Sequence, residues 1–345
     1  MNRPSPGPSG VEPEEPPQTR PLLYRRLRAL LQNPPLLGGL AILGFFVVVG
    51  SLSSLWYPGD PAFLPAHLQS GRFCVVPPGP TLQLLPLRWG AHPLGVTGTA
   101  GFDVLQGLVM GTRWDLALVA LVVLPAALAG GLLGAIAGGL GGWFDDLLAS
   151  LTDVFLSVPE FVLTLAALLF FLPMVPSNDR LWTFALLLNV VLWAPYARGV
   201  QARARSVAAQ PFVEAARASG ARPRRLLFRH ILPNSLFPIL SQIPTTVATI
   251  FVLLGGLLYV NIEISITSPV PICDFLPNVL PILPSAQFPE WTWVLANGAA
   301  AWVPGSSAVN PWWGYTFPAL WILLFGLGVT LFCDGLSQAL SPQSD

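Results

Sequence analysis

Long apolar runs alternate with polar connectors along this 345-residue chain. Six runs reach the roughly 20 residues that a bilayer crossing needs. They extend from Leu36 to Tyr57, Leu116 to Leu140, Leu147 to Leu172, Leu181 to Val200, Leu236 to Ile262 and Thr316 to Leu336. Each run is continuous rather than alternating, which excludes barrel strands. A backbone in lipid must satisfy its own hydrogen bonds, so each run is expected to be a helix. The expected fold class is an all-α polytopic membrane protein with six transmembrane helices. Pro125, Pro159, Pro238 and Pro244 fall inside the runs and predict kinks. Gly130, Gly131, Gly134 and Gly138 predict a close helix–helix approach.

The pattern also sets the organisation. Residues 1–21 read as a polar, disordered tail, and 22–57 as a lead-in with the first span. Residues 58–115 form an outward-facing segment. Residues 116–337 form a five-helix core, with a polar loop at 201–235 and an outward loop at 263–315. Residues 338–345 are a second tail. The outward loop is dense in Pro and Trp; its Trp291, Trp293, Trp302, Trp312 and Trp313 read first as interfacial anchors, the pair Trp312–Trp313 best of all.

Composition agrees with lipid as solvent. Hydrophobic residues make up 53% and charged residues 10%, against about 25% charged in soluble domains. Mean hydropathy is +0.63. Seventeen basic residues, all Arg, balance seventeen acids. That neutrality argues against a nucleic-acid binder, but the arginines are unevenly placed. Four precede the first run (Arg20, Arg25, Arg26, Arg28), and eight, from Arg198 to Arg229, lie between the fourth and fifth. The positive-inside rule puts both groups, and both termini, in the cytosol.

The segment Val207 to Pro233 has an order that an anchoring loop does not need. Val213 to Ser219 is rich in helix formers, Gly220 stands where a left-handed cap would end that helix, and Pro223 suits the first turn of the next. Helix, tight turn and helix are therefore expected at the cytosolic face. A basic anchor loop of no fixed structure is the plainer alternative.

The residues of this segment carry a family resemblance. Glu214-Ala215-Ala216, three residues, Gly220, nine residues, then His230-Ile231-Leu232-Pro233 resembles the EAA motif of binding-protein-dependent ABC transporter permeases. The ending through Asn234 resembles the peptide/nickel branch. His92-Pro93-Leu94-Gly95-Val96-Thr97 with Gly101-Phe102-Asp103-Val104-Leu105 resembles that branch's HPLGTD…GRDVL segment and points to its C-type member. Gly141-Gly142-Trp143-Phe144-Asp145, Leu151 to Pro159, and Asp334-Gly335-Leu336 with Ala339-Leu340 and Pro342 resemble further stretches of it. Phe102 and Gly98 depart from the pattern, as does Leu257 to Ile262, where the family has SFLGLG.

The resemblance implies an ABC importer type I permease that performs no chemistry and holds no cofactor. ATP and Mg²⁺ would be bound by two partner ATP-binding subunits. A B-type permease chain would complete the path, and an extracytoplasmic solute-binding protein would deliver peptides, nickel chelates or other small solutes. Glu214, Ala215, Ala216, Gly220, Pro223, His230, Leu232 and Pro233 would form the loop that couples to the ATPases.

Other candidates come from the residues themselves. Asp153 and Glu160 lie seven apart in the third run, on one face of a continuous helix. Carboxylates within a span are candidates for a translocation path, with a structural hydrogen bond near Pro159 as the alternative. Cys74 and Cys273 fall in outward segments where a disulfide is permitted and two free thiols are the alternative. Cys333 reads as an apolar packer. No CxxC pair, HExxH or GxSxG occurs, so a metal site or an intramembrane enzyme finds no motif. A secondary transporter or channel without ATPase partners is the remaining rival, but it would give no reason for the ordered 214–233 pattern.

Overall fold

The computed structural model describes residues 32–56, 93–95, 103–171, 174–175, 180–259, 267–270, 283–286, 290–300 and 312–340. Cys74, Cys273, Trp302 and the 1–21 tail lie outside them.

Helices dominate. α1 spans Pro34–Trp56, α2 Val104–Leu140, α3 Trp143–Ser157, α4 Glu160–Phe171 and α5 Arg180–Ala208. After three short elements, α9 spans Phe237–Tyr259, α10 Trp291–Ala300 and α11 Trp312–Leu340. Those short elements are α6 (Pro211–Ala218), α7 (Pro223–Leu226) and, after a π-helical turn at Leu227–Ile231, α8 (Leu232–Ser235). Strands β1 (Thr267–Val270) and β2 (Leu283–Ala286) pair as an antiparallel ribbon, Thr267 opposite Ala286. Five helices are long and apolar enough to cross a membrane, and the bent pair α3–α4 makes six.

Four departures from the sequence expectation bear on the architecture. α2 begins at Val104 because Asp103 caps it, its carboxylate accepting from the Gln106 N–H at 2.8 Å. Twelve residues assigned to the outward segment thus belong to a 37-residue helix. α5 runs on to Ala208, so Arg203 and Arg205 sit on a helix and not in a loop. α11 continues to Leu340, into the expected second tail.

The fourth difference is the largest. The third run is not one span with a kink; α3 and α4 meet at 84°. Pro159 supplies no N–H, and it drives Val158 to extended backbone (φ −100°, ψ 131°). Pro238, by contrast, falls in the first turn of α9, and Pro125 and Pro244 lie inside continuous helices.

Two close crossings organise the bundle. A Cβ on Gly130, Gly134 or Gly138 of α2 would collide with the backbone of Trp193, Ala197 or Gln201 of α5. The contacts climb together along both helices, so α2 and α5 are parallel, and they share the most extensive helix interface. α1 crosses α11 with Gly39 against Phe332 and Leu36 against Gly335, an antiparallel pairing. Both relations match six alternating spans.

The core is aromatic. Trp291 of α10 is fully buried, stacked on Phe251 (5.5 Å) and edge-on to Phe325 (5.3 Å), with Phe46 at 5.4 Å. Its backbone N–H donates to Asp115 Oδ2 (2.9 Å), and its indole N–H to the Leu108 carbonyl (3.1 Å). Trp293 and Trp313 are also buried, which corrects their reading as interfacial anchors; only Trp312 of the pair remains exposed. The cause is α10, which folds back among α2, α9 and α11 instead of lying in the outward loop. Gly95, at φ +79°, lies so close to the Trp313 indole that a Cβ would meet the ring at 2.6 Å. Leu94 and Gly95 are thereby held against the same core. Cys333 is buried in it as a packer.

Candidate functional site

At the opposite end of α2 and α5, the chain folds into a small knob. Gln210 and Arg222 both take extended backbone (ψ 146°), and each is followed by a proline, Pro211 or Pro223, at the first helical position. The same device therefore starts α6 and α7. α6 ends in a Schellman motif: the Ala221 N–H donates to the Ala216 carbonyl and the Gly220 N–H to that of Arg217. Gly220 has φ +80°, the left-handed value the sequence anticipated. No heavy atom lies within 4 Å of a Cβ placed there, so the backbone angle alone disfavours a side chain.

The expected second helix is interrupted. Leu227 to Ile231 form a π turn, closed by the Leu232 N–H on the Leu227 carbonyl. Pro233 follows at once and cannot donate, and a widened turn tolerates that loss. Asn234 Nδ2 donates to the His230 carbonyl (2.6 Å). The His-Ile-Leu-Pro-Asn run thus serves backbone geometry, and the His230 ring leans on Phe212 at 6.4 Å.

A second core anchors the knob. Val213 is fully buried with Ala204, Val207, Leu226, Leu227 and Ile231, and Ala216 packs at its edge. Glu214 and Ala215 point away and are exposed. Glu214 occupies the first turn of α6, where the helix dipole favours an acid. Its carboxylate has no partner among the described residues. Gly220, Pro223 and Pro233 are exposed too, and Leu232 is half-buried. The eight motif residues therefore lie on one knob, spread over α6, its cap, α7, the π turn and α8.

Under the knob, sequence reasoning missed a polar clamp. Asp145 accepts from Arg205 Nε (2.7 Å) and, through Oδ1, from Gln201 Nε2 (2.7 Å); Gln201 Nε2 also reaches the Asp145 carbonyl (2.8 Å). This charge-assisted set fixes the start of α3 to the end of α5. The Gly141-Gly142-Trp143-Phe144-Asp145 stretch was the available signal: Gly141 and Gly142, at φ +70° and +74°, make the turn that presents Asp145.

The two intramembrane acids separate. The 84° break places Asp153 and Glu160 on different helices, so the expected common face does not exist. Asp153 pairs with Arg198 at 3.1 Å. Glu160 is half-buried at the start of α4.

Residues 130–341 match the family described as binding-protein-dependent transport system inner membrane component. The chain belongs to this family. The permease is 29% identical over 264 residues to the probable D,D-dipeptide transport system permease protein DdpC of Escherichia coli, covering 76% of this chain and 77% of that one. It is 27% identical over 308 residues to the dipeptide transport system permease protein DppC of Haemophilus influenzae, covering 88% and 90%. The oligopeptide transport system permease protein OppC of Bacillus subtilis is 25% identical over 72% of this chain and 70% of its own length. The chain is therefore a multi-pass membrane permease and not itself an enzyme, and the matched region contains the knob, its clamp and both acids.

Proposed function

We propose that this chain is the C-type permease of an ATP-driven importer of peptides. It would share the path with a B-type permease chain, receive cargo from an extracytoplasmic binding protein, and dock on two ATP-binding subunits that hold ATP and Mg²⁺. The names of the relatives support peptides as cargo, and family membership favours this reading over a transporter working without partners. Both termini and the knob would then face the cytosol.

One observation carries the coupling role: α6 is tied to the end of α5 by Val213, while Glu214, Ala215 and Ala218 are exposed. An element rigid at its base and bare at its tip passes a push into the helix behind it. Closure of the ATPases would bias the bundle between two packings, a coupling between distant sites. In vesicles reconstituted with the co-purified partners, Gly220→Val or Glu214→Lys should insert normally and lose ATP-driven peptide uptake. Full uptake in both variants overturns the coupling role.

Glu160 would line the path, near the Pro159 break, where no ion pair is found among the described residues, while Asp153 would serve to hold Arg198. Unchanged uptake of every peptide tested by Glu160→Gln removes Glu160 from the path.

A further inference from the structure

Beside the knob, Arg222, Arg224, Arg225 and Arg229 line an open recess of about 570 Å³ together with Phe228. All four arginines are exposed, and none has a carboxylate partner among the described residues. From Ala208 to Phe237 the chain holds five arginines and a single acid, Glu214. Four like charges around one hollow repel each other, so an anion seated among them relieves that repulsion. Guanidinium forks match phosphate oxygens in pairs.

The surroundings select the source of that anion. Phe228 is 50% exposed. Nine residues on in sequence, exposed Phe237 starts the membrane-crossing α9. A basic hollow with a bare aromatic ring in its wall, a few residues before a membrane-crossing helix, has the make-up of a headgroup site at a bilayer surface. α6, in contrast, exposes small alanines and the one acid beside a single base, Arg217.

We infer that this recess binds the phosphate of an anionic phospholipid from the leaflet on the knob side. The inference uses the orientation proposed above but not the transport reading, and it stands or falls without any transport measurement. The test uses the full-length chain in nanodiscs of equal parts phosphatidylcholine and phosphatidylglycerol, with retained lipids counted by native mass spectrometry. Wild type is expected to retain phosphatidylglycerol selectively. Arg225→Gln/Arg229→Gln is expected to lose that preference by about thirty-fold, from two charges near the surface. Arg222→Gln/Arg224→Gln gives an independent variant with the same expected loss. Arg203→Gln/Arg217→Gln removes two exposed charges outside the recess and should keep the preference. Equal loss in all three doubles, or no loss in either recess double, overturns the site. Displacement of the lipid by millimolar inorganic phosphate would make it a site for free anions. Expulsion of the lipid by co-purified ATP-binding subunits would make it a protein-docking surface. Either result overturns the lipid assignment.

Discussion

The two ends of the α2–α5 pair solve opposite problems. At one end α10 is sunk into the bundle, with Trp291 touching three other rings and two of its N–H groups taken by α2. At the other end α6 rests, through Val213, on five other buried residues and leaves its tip bare. The first arrangement resists being moved. The second lets an external body grip the chain at small cost to folding. A mutation at the first end is thus expected to read out in stability, and one at the second in coupling.

Substitutions can break or sharpen that contrast. The largest stability effect is expected from Trp291→Ala, which empties the ring cluster and should cost about 3–5 kcal/mol in unfolding of the detergent-solubilised chain. Asp115→Ala strips the acceptor from the Trp291 N–H and should cost about 1–3 kcal/mol. Asp115→Asn, which keeps an oxygen there, should recover most of it; equal loss in both would mean the bond holds nothing. Gly220→Val asks a β-branched residue to adopt φ +80°, at about 1–2 kcal/mol. Its uptake defect should far exceed that, and a defect rescued merely by lowering the temperature would erase the distinction between the ends. Smallest is Glu214→Gln, expected within about 0.5 kcal/mol of wild type in stability because the side chain is exposed. A larger shift would mean Glu214 is structural.

The knob was legible in the sequence because its information is local. Gly220 permits a left-handed angle and Pro223 fixes φ through its ring, so their order after the helix formers of Val213 to Ser219 spells helix, turn and helix. The seam of Gly130, Gly134 and Gly138 was legible for a similar reason, since small residues four apart permit only close packing. The burial of Trp291 was not. Nothing near it in sequence announces that residues some 180 positions earlier supply its hydrogen-bond acceptors, and a Pro/Trp-rich stretch reads the same whether it lies on a membrane or inside a bundle. The break at Pro159 was half legible: proline forecasts a bend, but its size depends on whether neighbouring helices hold the two halves in line. Asp145 was legible as a residue but not as a clamp, because its partners Gln201 and Arg205 looked like members of a basic loop until α5 ran through them.

The glycine seam also has a mechanical consequence. With Gly130, Gly134 and Gly138 seated against the α5 backbone, α2 and α5 are expected to move together as one beam. α5 alone, at 29 residues, is about 43 Å long. Tilting such a beam by roughly 5° about its knob end swings the far end through about 4 Å. The knob therefore sits at the fulcrum of a lever whose arm reaches the opposite end of the bundle.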